Sequence, residues 1–397
     1  MRQMTAYKDM TLDQRRAEYA ALQTAFADLK AQGLKLDMTR GKPCKDQLDM
    51  VSDIFDMLKE PEDYIVDGID IRNYGALSGL PEAKRLFANL LDCKPKQVFV
   101  GGNASLQLMY GVIDCAFIHG RLNSPRPWCK EPVVKWLCPA PGYDRHFKLT
   151  ESFGFELITI PMTSTGPDMD AVEEAIKDPA VKGIWCVPKY SNPEGIIYSK
   201  DTIVRMASMK PAAPDFRIFY DNAYVVHHLT DERIEIANIF DYAREAGNEN
   251  IVFEFASTSK FCFPGAGISC IAASLENVGL IKAQMFYQTI GPDKLNQLRH
   301  IRFFENLEAV HSHMQKQAAI LKPKFDAVLS ALNNELRGLG IGSWTEPKGG
   351  YFVSFDTMPG CAKRTVQLMK EAGVIMTSAG ATYPYQNDPE DKNIRIA

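Results

Sequence analysis

Several absences narrow what this chain can be. No apolar stretch reaches the roughly 20 residues that a helix needs to span a bilayer. The N-terminus also places charges where a signal peptide needs an apolar core, so neither membrane insertion nor secretion is expected. The chain carries no strong net charge: 45 Lys and Arg against 49 Asp and Glu leave −4, with a pI near 6.0. The basic residues are scattered rather than striped, which removes the electrostatic case for nucleic acid. Nine cysteines are an odd number with no CxxC pair, a pattern of free thiols in a reducing cytoplasm rather than of a disulfide framework. Of seven histidines, the only close pairs are His227-His228 and His311-x-His313. A zinc site needs tighter clustering with Cys or His, so no metal is expected. No internal repeat or low-complexity tract interrupts the chain.

What remains is a chain of 397 residues, enough for a large domain with a substantial core and a smaller one beside it. Residues 11–32 read as an amphipathic helix, with Leu12, Tyr19, Leu22, Phe26 and Leu29 at helical spacing. Further helices are expected at 49–58 and 81–91. Short apolar strands then alternate with helices: 98–100, 133–138, 155–160, 183–187, 217–220, 251–255 and 268–273. This alternation predicts an α/β fold with a mostly parallel sheet covered on both faces. After Pro292 the pattern is helical to about Leu332, as one long helix. Beyond Trp344, glycine-rich turns separate a strand at 351–355 from a helix at 363–372, which gives the smaller domain, α+β in character. The expected division is 45–295 for the large domain. Residues 1–44 and 296–397 form the small one, with the N-terminal segment and the connecting helix.

The chemistry centres on Lys260, in Ser257-Thr258-Ser259-Lys260, just past the apolar run Ile251 to Phe255 and before a Pro264-Gly265-Ala266-Gly267 turn. Lysine forms imines with carbonyl cofactors such as pyridoxal phosphate (PLP). Taken alone, Lys260 reads as a solvated loop lysine, but two upstream motifs change that reading. In Phe216 to Tyr224 an apolar strand delivers Asp221, with Tyr224 three residues later. A carboxylate keeps the PLP pyridine nitrogen protonated, and a tyrosine hydroxyl near the ring oxygen tunes the imine's proton affinity. The plainer role for Asp221 is to cap a following helix. In Val187 to Gly195, Asn192 precedes a proline that holds it extended, so its amide can donate to a ring hydroxylate; the plainer role is an Asn-Pro turn. Asn192, Asp221 and Lys260 all fall just past the carboxyl ends of strands, where open α/β sheets bind ligands. Gly102-Asn103-Ala104-Ser105, between a strand and a helix, offers backbone N–H groups for a phosphate, and Ser105 suits phosphate contact or helix capping.

Asn-Pro-x-Gly, Asp-x-Ala-Tyr and Ser-x-Ser-Lys, in this order and at these distances, resemble the PLP-dependent aminotransferases of fold type I. The match looks closest to aspartate aminotransferases related to the catalytic domains of MocR-type regulators. Arg40-Gly41-Lys42-Pro43, Gly102 to Leu106 and Thr289 to Lys294 carry that closer likeness. The resemblance implies a doubly wound PLP-binding domain in which Lys260 bonds the cofactor, Asp221 pairs its ring nitrogen, and Asn192 and Tyr224 contact its ring oxygen. It further implies that Asn103, Ala104, Ser105, Ser257 and Ser259 surround the phosphate, that Tyr143 stacks on the ring, and that Tyr74 enters the site of a partner subunit. An obligate homodimer with shared active sites follows. Arg395 matches the arginine that holds the substrate's α-carboxylate, and Gly41 matches a position where backbone approaches it. One departure stands out: many relatives carry a phosphate-binding arginine where this chain has Gly267. The chain also stops two residues after Arg395, where relatives continue, which reads as a truncated C-terminus.

The expected activity is transamination between an amino acid and a 2-oxo acid, with aspartate and 2-oxoglutarate the favoured pair. A dicarboxylic substrate needs a second cation. Arg145, two residues beyond Tyr143, is the first choice, with Arg40 and Lys42 behind it. Alternatives within the fold are 2-aminoadipate, aromatic or alanine transaminases, and PLP lyases or decarboxylases. The rival from another class is an effector-sensing transcription regulator. About forty residues precede the Gly41 loop, too few for its winged-helix domain, and they hold no basic recognition helix.

Overall fold

The computed structural model describes residues 5–120 and 123–397. Its centre is an eight-stranded sheet, here numbered in chain order: β1 (Val98–Val100), β2 (Lys135–Ala140), β3 (Glu156–Thr163), β4 (Gly166–Pro167), β5 (Val181–Cys186), β6 (Arg217–Asp221), β7 (Val252–Ser257) and β8 (Ser269–Ala273). The spatial order is β1-β8-β7-β6-β5-β2-β3-β4. Strands β7, β6, β5, β2 and β3 pair in parallel, while β8 runs antiparallel to both of its neighbours. Strands β5 and β6 are buried along their whole length, as continuous apolar runs in a parallel sheet must be.

Alternation along each strand divides the interior into two cores. Ile184, Ile218 and Val252 face one side with Leu86, Ile203 and Met206 from the helices Pro81–Leu90 and Lys200–Ala207. Trp185, Phe219 and Phe253 face the other with Met109, Val112 and Ile113 of the helix Ser105–His119. Each such side chain contributes roughly 1.5–3 kcal/mol on burial, so the sheet is sealed on both faces, as the sequence predicts. Gly183 is required by packing: a Cβ there would stand 2.4 Å from the Trp136 ring, its neighbour across β2 and β5.

A three-stranded antiparallel sheet (Gly342–Trp344, Val353–Thr357 and Asn393–Ile396) and a parallel pair (Leu36–Met38 with Val374–Met376) lie among the N- and C-terminal elements. The 29-residue helix Leu307–Glu335 precedes the C-terminal ones of these strands.

Local expectations differ from the structure in four places. The helix expected at 49–58 is a short helix Lys45–Asp49 followed by a 3₁₀ turn Ser52–Asp56. Gln47 reaches back to accept from the Cys44 N–H at 2.9 Å, which starts the helix early, and burial of Val51 and Ile54 turns the chain inward. The single long helix expected after Pro292 is broken between Lys294–Phe304 and Leu307–Glu335. Glu305 has a positive φ of 47°, and Asn306 caps the second helix by accepting from Ala309 N–H. The strand expected at 351–355 is Val353–Thr357. The helix Leu12–Ala31 forms as expected, with a capping box at Thr11 and Gln14, yet buries none of its residues. The turn before it is tied down by Tyr7 N–H to Leu339 O and its last turn by Lys30 to Glu371, while Leu12, Tyr19 and Leu22 stay exposed.

Candidate active site

The carboxyl ends of β2, β5, β6 and β7 open onto a cleft of about 1030 Å³. Every site residue predicted from the sequence lines it except Asn103 and Tyr74. The Asn103 amide points instead to Pro264 O at 3.5 Å, and Tyr74 is 79% exposed.

Lys260 ends a single 3₁₀ turn, Thr258–Lys260, that leaves β7. Its Nζ donates to Gly41 O at 2.9 Å and lies 5.5 Å from the centre of the Tyr351 ring. Burial, partly offset by Asp221 and reinforced by Arg395, lowers its pKa to about 8. The neutral amine that a nucleophile or proton carrier requires is therefore far more accessible near pH 8 than for an exposed lysine. Gly41 allows this approach: a Cβ there would stand 2.8 Å from Tyr351 and 2.9 Å from Phe352.

Asp221 is the last residue of β6 and caps nothing, since the next helix begins only at Ile239. Its Oδ2 accepts from His146 Nε2 at 3.0 Å, while its buried Oδ1 has no hydrogen-bond partner among the described residues. An unpaired buried carboxylate oxygen is costly unless something cationic or protic meets it. A protonated pyridine nitrogen fits that need, so the residues present suit PLP. His146 in turn stacks on Trp185 at 4.5 Å and 11°. Trp185 packs on Trp136, so the Gly183 contact in the core ends at the orientation of Asp221.

Asn192 is buried, and its peptide bond to Pro193 is cis. Its Oδ1 accepts from Arg395 Nη1 at 3.3 Å, and its amide nitrogen makes no hydrogen bond among the described residues. Arg395 also donates to Asp144 Oδ1 at 2.9 Å and to Thr377 Oγ1 at 3.2 Å, lies over the Phe352 ring, and keeps a buried, unpartnered Nε. Burial raises the Tyr143 hydroxyl to about 12 and pushes that of Tyr224 well up as well, so both stay neutral donors at physiological pH.

Ser105 opens the helix Ser105–His119, whose N-cap is Ala104 with no side-chain cap. Capping is thus not the job of the Ser105 hydroxyl, and the first N–H groups of this helix face the cleft. Ser257 lines the cleft nearby, and Ser259 donates to Asn103 O at 3.1 Å. At Gly267 a Cβ would stand 3.1 Å from Phe263 O and from Thr258 Oγ1, too tight for a longer side chain to start without displacing its neighbours. Arg145, Arg40 and Lys42 are exposed on the rim, with no ion pair among the described residues.

Sequence reasoning missed His146, Asp144, Thr377, Phe352 and Tyr351. His146 sits on the buried face of a helix beside Phe147, and nothing local separates it from an ordinary core histidine.

A family model described as aspartate amino-transferase matches residues 10–397. An aspartate aminotransferase of Corynebacterium glutamicum is 47% identical over 372 residues, covering 94% of this chain and 86% of that protein. The crystal structure of an aspartate transaminase from the same species is similar with a TM-score of 0.96 and 45% identity, over 99% of this chain and 93% of that one. An α-aminoadipate aminotransferase of Thermus thermophilus, solved with N-(5'-phosphopyridoxyl)-L-leucine, shares the fold at 20% identity and a TM-score of 0.72, over 93% and 89%.

Proposed function

This chain belongs to the aspartate aminotransferase family, and we propose that it is a PLP-dependent transaminase taking aspartate as amino donor and 2-oxoglutarate as acceptor. The observation that carries this reading is the meeting, in one cleft, of Lys260 with a lowered pKa and Asp221 with an unpaired buried oxygen. When bound, PLP supplies an electron sink for charge developing at the substrate's Cα.

The chain's own residues do the rest. Lys260 would bond the cofactor and, when freed, would take the proton from the substrate's Cα. Asp221, oriented by His146, would hold the ring nitrogen protonated. Asn192 and Tyr224 would donate toward the ring oxygen, and Tyr143 would cover the ring face. The phosphate would rest at the helix start formed by Ala104 and Ser105 and on the Ser257 hydroxyl, with Ser259 tying Asn103 beside it and no guanidinium at Gly267. Arg395 holds the α-carboxylate beside Gly41, and Arg145 holds the distal one, with Arg40 and Lys42 next in line.

A homodimer is part of the proposal. Tyr74, Phe286, Tyr287 and Ile290 are more than 60% exposed. They are neighbours, because Gly75 and Gly291 touch and the rings of Phe286 and Tyr287 lie 5.6 Å apart. Such an apolar patch marks an interaction surface, and Tyr74 within it would enter a partner's cleft. The domain division at 45–295 is supported by the large sheet falling within residues 98–273 and the three-stranded sheet within 342–396. A reducing cytoplasm is supported by nine free thiols, five of them buried. No helix among the described residues is long and apolar enough to cross a membrane.

The test is a panel of amino acids against the PLP-loaded protein, following conversion of the cofactor absorbance to that of the amine form. Aspartate and glutamate should convert it fastest. Failure of every amino acid to convert it would overturn the reading.

A further inference from the structure

Lys260 is held at its head by Gly41 and at its carbonyl by Tyr351, and Tyr351 is in turn bonded by Gln47 from the same N-terminal segment as Gly41. At the head, Nζ donates to Gly41 O at 2.9 Å. At the backbone, the Tyr351 hydroxyl donates to Lys260 O at 3.1 Å and accepts from Gln47 Nε2 at 3.2 Å. Gln47 is fixed in turn, since its Oε1 accepts from Cys44 N–H at 2.9 Å. Its Nε2 also donates to Gln317 Oε1, on the long helix. One turn earlier on that helix, His313 Nε2 bonds Phe261 O at 2.8 Å, the carbonyl next to that of Lys260, and lies 3.0 Å from the Gln317 amide nitrogen. Gln47 and Gln317 are 1% exposed, so water does not compete for these groups.

We propose that residues 41–47, acting through Gln47 and Tyr351, form a positioning clamp that sets where the Lys260 amine stands in the cleft. Three observations support it. The segment from Gly41 to Gln47 touches the head of Lys260 directly through Gly41 O and its carbonyl indirectly, through the Gln47 bond to Tyr351. The carbonyl contact runs through a buried glutamine whose alternative is an unsatisfied amide, costing roughly 1–3 kcal/mol. The Tyr351 ring, placed by the same hydroxyl, also faces Nζ at 5.5 Å and favours its charged form. Arg40 and Lys42 flank Gly41 on the cleft rim, so a substrate carboxylate drawn to them would meet the segment that holds the amine. The other ionisable groups around Lys260 are Asp221 and Arg395, across the cleft, and His227, which is buried against Tyr351.

This inference rests on Lys260 being the lysine that bonds PLP, and the test separates the two. The holoenzyme is compared with Tyr351→Phe, Gln47→Met and the double variant. Borohydride reduction followed by peptide mapping shows in each whether Lys260 carries the cofactor. A label on another lysine overturns the functional reading and the clamp together. With Lys260 labelled, each single variant should shift the pH midpoint of the cofactor absorbance by about half a unit or more. Each should also lower kcat for the aspartate half-reaction roughly tenfold and leave KM within about twofold, as a misplaced reacting group does. Because the two groups act in series, the double variant should lose no more than the worse single variant. An unchanged midpoint in Tyr351→Phe, or losses that multiply in the double variant, overturns the clamp. Thermal melting accompanies each variant, and Tyr351→Phe, which keeps the ring, decides the matter if Gln47→Met fails to fold.

Discussion

Asp221 and His146 stand 3.0 Å apart, 75 positions separated in sequence, and the bond between them uses one carboxylate oxygen while leaving the other buried and unpaired. That asymmetry fixes which oxygen faces the cleft. The free oxygen is then available to a cationic group bound in the cleft. Asp221→Asn should therefore keep PLP attached to Lys260 but slow both half-reactions at least about a hundredfold, the scale on which a fixed charge acts at a reacting centre. Stopped-flow absorbance measures this directly. Rates within threefold of wild type would mean that Asp221 serves only to hold His146.

Lys260→Ala removes the bond to the cofactor and the proton carrier together. Transamination should fall on the order of a thousandfold or more, while PLP still binds through its phosphate and ring contacts. Wild-type turnover in this variant would refute the assignment of Lys260.

The lowered pKa of Lys260 has a sign that can be checked in the cofactor-free protein. The amine titrates near 8 when folded and at 10.5 when exposed, because burial disfavours its charge. Between those values the unfolded chain holds the extra proton. Stability contributed at this position therefore rises as pH climbs from about 8 to 10.5, and below 8 the burial of the charged amine is fully unfavourable. Urea unfolding of the wild type and of Lys260→Met should give stabilities that converge over that window. A constant difference across it would show that the amine titrates normally.

Glu254 lies one residue before Phe255 on β7, fully buried, and accepts from the Asn222 amide at 2.9 Å. Burial raises its pKa to about 8 against an ordinary 4.5. Here the folded protein binds the extra proton between 4.5 and 8, so this group's contribution to stability falls as pH rises through that range. Glu254→Gln, neutral at every pH, should be more stable than wild type at pH 8.5 by roughly 3–5 kcal/mol and should lose most of that advantage near pH 5. Equal stabilities at the two pH values would show that Glu254 ionises freely.

The sheet was legible in the sequence because its central strands are buried along their length and mostly apolar, Lys182, Arg217, Asp221 and Glu254 being the exceptions. Lys260, Asp221 and Asn192 were legible because each follows such a strand within a motif of fixed spacing. His146 was not, since its meaning lies in a contact that only the β2–β5–β6 packing creates. Gln47 and Tyr351 were hidden for the same reason, being 304 positions apart yet hydrogen-bonded. The exposed stripe of Leu12, Tyr19 and Leu22 shows the reverse case. Periodicity correctly predicts the helix but says nothing about whether this chain covers its apolar face.

On the proposed reading, substrate choice turns on the rim cations. Arg395 is already committed to Asp144, Asn192 and Thr377 and sits 6% exposed at the cleft floor, a placement suited to the α-carboxylate common to all amino acids. Arg145 follows Asp144 at the start of the next helix, lines the cleft, and has no carboxylate partner among the described residues. A guanidinium there is free to take a second carboxylate through two hydrogen bonds. Arg145→Ala should lower kcat/KM for aspartate and glutamate by roughly 2–4 kcal/mol in transition-state binding. Alanine and the aromatic amino acids, which offer no distal carboxylate, should lose far less. An equal loss for every substrate would point to a role in closing or shaping the cleft. No loss at all would transfer distal recognition to Arg40 or Lys42, and the same substrate panel on Arg40→Ala and Lys42→Ala would then identify which of them carries it.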